Sequence, residues 1–299
     1  MPDFKDYLLW RLLTESHTKH SGCLKRLEST YLAFRDKAAG LTSLIAKSVP
    51  TLTMHDISHL DGLWQTASLL IDEDYPINPM EIFVFGCAAL LHDSALSFEA
   101  FGGLDTIRAT TEWKDSYSLA LKIDPSRKKS DLEKDADFAA IRQLHAEQAA
   151  KLIGNSWPTG DGSGKLFLIE DDGLRNHYGP MIGKVASSHH WSMERVSSEL
   201  DAQFNPIPGF PAEWVVHPAK VAALLRCADA LHIDQNRAPD FLHALIKKGG
   251  VSALHWQAQN WLAQPTMDLS DNTNQTIAFT STRDFDEKHS EAWWIAYDA

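Results

Sequence analysis

The segment EIFVFGCAALLHDSAL, residues 81–96, is apolar on nearly every face of a helix, and such a helix is stable only when other helices surround it. Pro79 and Glu81 suit its first turn, and the run ends in His92 and Asp93. A chain that carries it must build a multi-helix body. Its 299 residues permit one large domain or two modest ones.

The rest of the chain supplies those helices. Apolar residues recur at helical spacing from Asp3 to about Lys47 (Leu8, Leu12, Leu24, Leu27, Tyr31, Phe34), enough for two or three helices. Pro50 breaks the pattern, and helical period returns from about Ser58, with Leu63, Ala67 and Leu70 on one side and His59 in the first turn. Lys122 to Asp137, rich in Asp, Lys and Ser, reads as a solvated loop. DFAAIRQLHAEQAAKLIG then forms an amphipathic helix with His145 midway and Gly154 closing it. Residues 154–173 are glycine-rich and read as a long mobile loop with room for one short strand, a flap near the site. GDGSGKL within it falls short of a phosphate-binding loop: the glycine spacing is short by one, and Leu166 stands where Ser or Thr is required.

Helical period resumes from Leu174 to His189, His190 and Trp191, followed by a shorter helix around Glu194 to Leu200 and a proline-rich link. HPAKVAALLRCADALHID is again largely apolar, interrupted by Asp229. Beyond it, HWQAQNWLAQPTMDL and QTIAFTSTRDF alternate as strands do, around a DNTN turn. The expected fold is therefore mainly α, a helical bundle with a small β-hairpin near the C-terminus. It divides into an N-terminal helical extension (1–50), a core (51–240) and a C-terminal extension with the hairpin and the start of a helix (241–299). In that last helix Trp293, Trp294, Ile295 and Tyr297 cluster on a segment short for self-support, which predicts further protein or a partner chain to cover them.

Composition narrows the function classes. Hydrophobic residues at 44% and charged residues at 23% are ordinary for a globular protein. A formal charge of −12 argues against duplex nucleic acid as a partner, since phosphate neutralisation needs clustered Lys and Arg. No apolar run approaches the roughly 18 residues of a membrane span. The start, MPDFKDYLLWRLL, lacks the order of a signal peptide, so a cytoplasmic protein with no membrane partner is expected. Cys23, Cys87 and Cys227 support neither a disulfide framework nor a thiolate metal site; Cys87 and Cys227 read as core.

The unusual feature is 14 histidines in an acidic chain. In order, His55 and His59, His92 with Asp93, His145, His189 with His190, and Asp229 lie on or near predicted helices. Asp93 and Asp229 interrupt apolar helices, and a buried carboxylate without a partner costs several kcal/mol. Imidazole and carboxylate together make a mixed metal shell, which helical bundles build by pointing side chains inward. A single histidine on an amphipathic helix is more often structural than a ligand; this succession is not a single histidine. By contrast His17, His20, His177, His217, His232, His243, His255 and His289 read as ordinary.

This order resembles the HD superfamily of phosphohydrolases. SHLDGLWQTASLL is similar to its first motif at His59, ALLHDSAL matches the defining doublet at His92 and Asp93, and LLRCADALHID matches the final helix at Asp229. HAEQAAKLI at His145 and SSHHW at His189 and His190 look like motifs of the dinuclear HD-GYP branch. Ser94 and Ala95 stand where that branch has a Lys, and its Gly-Tyr-Pro signature is missing. The TMHDISH spacing also looks like HD domains found beside Hsp90-like ATPase modules.

The resemblance spans about 53–237 and implies a metal-dependent phosphohydrolase or phosphodiesterase with an HD-type catalytic core. It implies that His59, His92, Asp93 and Asp229 hold one metal, and that Asp93, the central catalytic residue, bridges to a second held by His145, His189 and His190. The implied cofactors are one or two divalent metals: manganese, iron, zinc, nickel, cobalt or magnesium. His55, Lys184, Arg226 and Arg237 are candidates for the substrate phosphate. The expected substrate is a phosphorylated small molecule, a nucleotide first of all. Two other readings remain open: a nucleotide-sensing or scaffold module that signals without turnover, and a single-strand nuclease, for which no Lys and Arg run supplies a channel.

Overall fold

The computed structural model describes residues 3–246, 249–268, 270–271 and 276–298. Three helices open the chain: α1 (Leu8–Glu15), α2 (Ser21–Thr42) and the single turn α3 (Ile45–Ser48). α4 (Ile57–Leu69) begins where Asp56 caps it, its carboxylate accepting from the Ser58 N–H at 2.9 Å. α5 (Pro79–Leu91) is the apolar segment, and all of its residues are buried. A capping box fixes its entry: the Asn78 side chain accepts from the N–H groups of Met80 and Glu81, and Glu81 accepts from the Asn78 N–H at 3.2 Å. Glu81 is 1% exposed but not a bare charge, because Lys220 donates to it at 2.6 Å and the His217 N–H at 3.0 Å.

Then come α6 (Leu104–Arg108), α7 (Thr111–Ile123), α8 (Lys129–Leu152), a hairpin of β1 (Ser156–Pro158) and β2 (Lys165–Phe167), α9 (Asp172–Ser187), α10 (Met193–Glu199) and α11 (Pro218–Leu231). α1, α2, α4, α9 and α11 pack around α5, and one apolar core takes in residues from Phe4 to Ala228. α1 and α2 are thus part of that core, whereas Ile45 of α3 belongs to a smaller cluster with Leu96, Ile107 and Ile141. Gly86 and Gly183 each permit a close approach between elements. A Cβ at Gly86 would stand 2.6 Å from the Trp64 ring, and one at Gly183 would stand 2.7 Å from the Ala150 carbonyl oxygen. The second draws the backbones of α8 and α9 together and sets His145 beside His189.

α12 (Asp240–Ile246), α13 (Gly250–Asn260), an antiparallel pair of β3 (Thr266–Met267) and β4 (Ile277–Ala278), and α14 (Ser290–Asp298) complete the chain. Buried Trp256 of α13 donates from Nε1 to the Leu52 carbonyl at 3.2 Å, and Asn260 donates to the Ala238 carbonyl at 2.8 Å. α13 therefore lies against the segment that leads into α4. On α14, Ala292 is buried, whereas Trp293, Trp294 and Tyr297 are exposed and pack on one another. The fold is mainly α, with two small hairpins among the described residues. Among those residues no helix is long and apolar enough to cross a membrane.

Four local expectations give way. Lys122 to Asp137 is not a loop, since α8 already starts at Lys129. Its charges are the solvated face of a helix whose Leu132 and Ala136 are buried. HWQAQN is helical rather than extended, because Trp256 and Asn260, one turn apart, share the buried side of α13. Residues 154–173 form the β1/β2 hairpin against α2, where Lys37 bonds the Phe167 carbonyl and Glu170. Cys227 is exposed, while Cys87 is core. The expected DNTN turn falls largely outside the described residues, as does the His243 side chain.

Candidate metal centre

Five helices deliver the site. His59 comes from the first turn of α4, His92 and Asp93 from the end of α5, His145 from α8, His189 and His190 from the turn after α9, and Asp229 from the last turn of α11. Asp93 is at the middle. Its Oδ2 lies 3.2 Å from His92 Nε2 and 3.5 Å from His59 Nε2. Its Oδ1 lies 3.5 Å from His145 Nε2 and 3.9 Å from His189 Nε2. Asp229 Oδ1 closes the first group, 3.5 Å from His59 Nε2 and 3.7 Å from His92 Nε2. His190 joins the second, its ring 4.5 Å from that of His189 and 4.6 Å from that of His145. Within His59, His92 and Asp93, and within His145, His189 and His190, one ligand-type atom from each residue lies within 4.8 Å of the others.

Three imidazoles are held in a form that suits a metal. His92 Nδ1 donates to the Ala89 carbonyl at 2.8 Å, His145 Nδ1 to that of Arg142 at 2.8 Å, and His189 Nδ1 to that of Ala186 at 2.6 Å. A carbonyl only accepts, so each Nδ1 carries a proton and Nε2 is the atom turned inward. His92 Nε2 is buried and makes no well-aligned hydrogen bond, although Asp93 Oδ2 lies 3.2 Å and Asp229 Oδ1 3.7 Å away. A cation ligated there would take the place of the close contact between this nitrogen and the two carboxylates. The nitrogen and carboxylate donors are those of a divalent transition-metal site, and the residues fit one.

The charges agree. Burial pushes the His189 pKa down to about 3 and, with the Arg237 charge, holds His59 well below its ordinary value. Burial would raise Asp93, but His92, His145 and His59 hold it well below the usual carboxylate range. Asp229 is lowered likewise by His92 and His59 against its burial. His92 alone moves the other way: burial opposes its charge, yet Asp93 and Asp229 outweigh burial and hold its pKa well above normal. Two close carboxylates thus draw a proton onto His92, and a metal cation competes for that place.

The expected substrate groups divide. Arg237, 7% exposed, and His55 line the cavity of about 170 Å³ over the cluster, together with Leu52, Leu96 and Arg142. Arg237 Nη2 donates to His55 Nε2 at 2.9 Å. Lys184 does not reach the cavity; it points outward and pairs with Glu199 at 3.3 Å. Arg226 is also turned away, donating to the Ser188 and Trp191 carbonyls, so it braces the turn that carries His189 and His190. No residue of 154–173 lines the cavity, and the flap expectation is corrected accordingly. A larger cavity of about 620 Å³ lies around the Arg35–Asp61 ion pair and has none of these histidines.

One residue was overlooked. His232, read as ordinary, is 2% exposed and stacks on His59 with ring centroids 5.1 Å apart and planes 7° apart. Their Nδ1 atoms are 2.8 Å apart. The ring fits only because α4 has glycine at 62, where a Cβ would come within 2.3 Å of His232 Cε1.

A model of the HD-CE family matches residues 49–299. The chain belongs to the HD-CE family. No curated protein and no solved structure matches it. The HD-CE match extends beyond the span of the quoted motifs on both sides and takes in α13, which lies against Leu52. An HD-type domain with His and Asp side chains that could hold a metal points to hydrolase chemistry at the level of class.

Proposed function

We propose that this HD-CE protein is a dinuclear, metal-dependent phosphohydrolase acting on a phosphorylated small molecule. The observation that carries the reading is the division of Asp93, one oxygen toward His59 and His92 and the other toward His145 and His189. His59, His92, Asp93 and Asp229 would hold one ion; His145, His189 and His190 would hold the second, with Asp93 shared. Such ions supply a water acidified toward neutrality and stabilise charge on phosphoryl oxygens. Carbonyl bonds at three Nδ1 atoms keep the imidazoles oriented, so little reorganisation is needed when ligands engage. Arg237 places a guanidinium at the cavity wall, where it meets a phosphate oxygen. No side-chain nucleophile is called for.

The test is metal stoichiometry together with turnover of bis(p-nitrophenyl) phosphate in added manganese. The parent should hold about two equivalents and turn over. Asp93→Ala should lose both metal and activity, whereas His145→Ala should keep roughly one equivalent and slow by orders of magnitude. Unchanged metal content and rate in His145→Ala would show a mononuclear enzyme. Activity in Asp93→Ala equal to the parent's would refute the mechanism, and metal binding without turnover in the parent would leave a sensory module.

A further inference from the structure

The cavity over the metal cluster, about 170 Å³, is smaller than the roughly 300 Å³ at which ordinary ligand sites begin. A substrate with more than its scissile phosphate must extend elsewhere. Beside it lies a lobe of about 390 Å³ that shares Leu52, His55, Arg142 and Arg237 with it. The outer wall of the lobe comes from α13, through Val251, Ser252, His255 and Gln259.

The lobe has an unusual charge for this chain. The protein carries 40 acidic residues and a net charge of −12, yet none of the residues lining the lobe is acidic. Two arginines and two histidines line it. The buried Arg237 Nε lacks a hydrogen-bond partner among the described residues, and the carboxylates that bear on its charge, Asp229, Asp93, Asp234 and Asp56, all stand outside the lobe lining. Arg142 lies over the Phe138 ring at 5.8 Å, and its charge, after burial, lowers the His255 pKa. Within the lobe itself no carboxylate faces the two guanidinium groups, and an anionic ligand there would meet both.

We propose that the lobe is a second anion site, so that the substrate is a phosphate ester bearing a second phosphate on its leaving-group side. The proposal rests on the hydrolase reading for the location of the scissile phosphate. Arg142 and His255 recognise the second phosphate, and Arg237 lies between the two cavities. A charge-assisted pair of this kind gives geometric specificity as well as affinity.

The experiment is calorimetric binding to the metal-loaded protein of two ligand pairs that differ by one phosphate: orthophosphate against pyrophosphate, and adenosine 5′-monophosphate against adenosine 3′,5′-bisphosphate. The parent should bind at least one doubly phosphorylated member about tenfold or more tightly than its partner. Arg142→Ala and His255→Ala should abolish that preference while metal content stays at the parent's value. No preference in the parent, or one that survives both substitutions, overturns the proposal. Turnover of bis(p-nitrophenyl) phosphate is measured alongside. Turnover without preference removes the lobe and keeps the hydrolase; preference without turnover keeps the anion site and removes the hydrolase.

Discussion

Gly62→Ala separates helix propensity from tertiary packing. Glycine inside α4 costs about 1 kcal/mol relative to alanine, so local reasoning makes this substitution stabilising. The structure reverses the sign. The new Cβ would stand 2.3 Å from His232 Cε1, 2.5 Å from Nε2 and 3.1 Å from Nδ1. His232 is buried and stacked on His59, with its Nδ1 2.8 Å from that of His59, and any retreat gives up that contact. Overpacking a tight interior costs about 1–3 kcal/mol. Less the propensity gain, the net effect is a destabilisation of about 0–2 kcal/mol. Because His232 supports a candidate ligand, metal affinity should fall by about 10–100-fold. His232→Ala removes the obstacle, so adding Gly62→Ala in that background should regain close to 1 kcal/mol. Urea unfolding and metal titration of the two single variants and the double variant complete the cycle. A Gly62→Ala protein that is more stable than the parent, with unaltered metal affinity, would show that His232 can move freely and that the stacking argument is wrong.

Other outcomes follow from the same contacts. Lys184→Ala should leave KM within about twofold, because its partner is Glu199 on the surface; a large rise in KM would bring Lys184 back to the site. Arg226→Ala removes two bonds to the turn carrying His189 and His190, so metal analysis should find the second equivalent weakened and the first retained. After chelation of metal, stability should fall as pH drops from about 6.5, where unfolded histidine takes up a proton. His55, with its pKa lowered to about 4, and His189 and His232, each lowered to about 3, stay neutral through most of that window. Each contributes a slope of up to about 1.4 kcal/mol per pH unit there, whereas His92, raised by its carboxylates, keeps its stabilising contribution through that window and loses it only as pH rises above about 6.5. Urea midpoints at pH 7 and pH 5 check the sign, and a higher midpoint at pH 5 would contradict it.

The elements and positions that were legible share one property: their cause is local. An apolar run opened by Pro79 and Glu81 could only be an interior helix, and a carboxylate at its end required a partner, which makes Asp93 readable before any contact is known. Charge density misled at Lys122 to Asp137, because a solvated helix face and a loop have the same composition; the buried Leu132 and Ala136, one turn apart, were the available correction. Closeness in sequence misled at Lys184. It lies five residues before His189 on helical backbone, and at 3.6 residues per turn that separation points the two side chains about 140° apart. His232 is a different case, since its role depends on His59 and Gly62, far away along the chain. The local trace it leaves is on the other helix. Gly62 lies in mid-helix, without a positive φ or a chain reversal to justify it. At this glycine another side chain enters, and that side chain is the imidazole stacked against a candidate metal ligand.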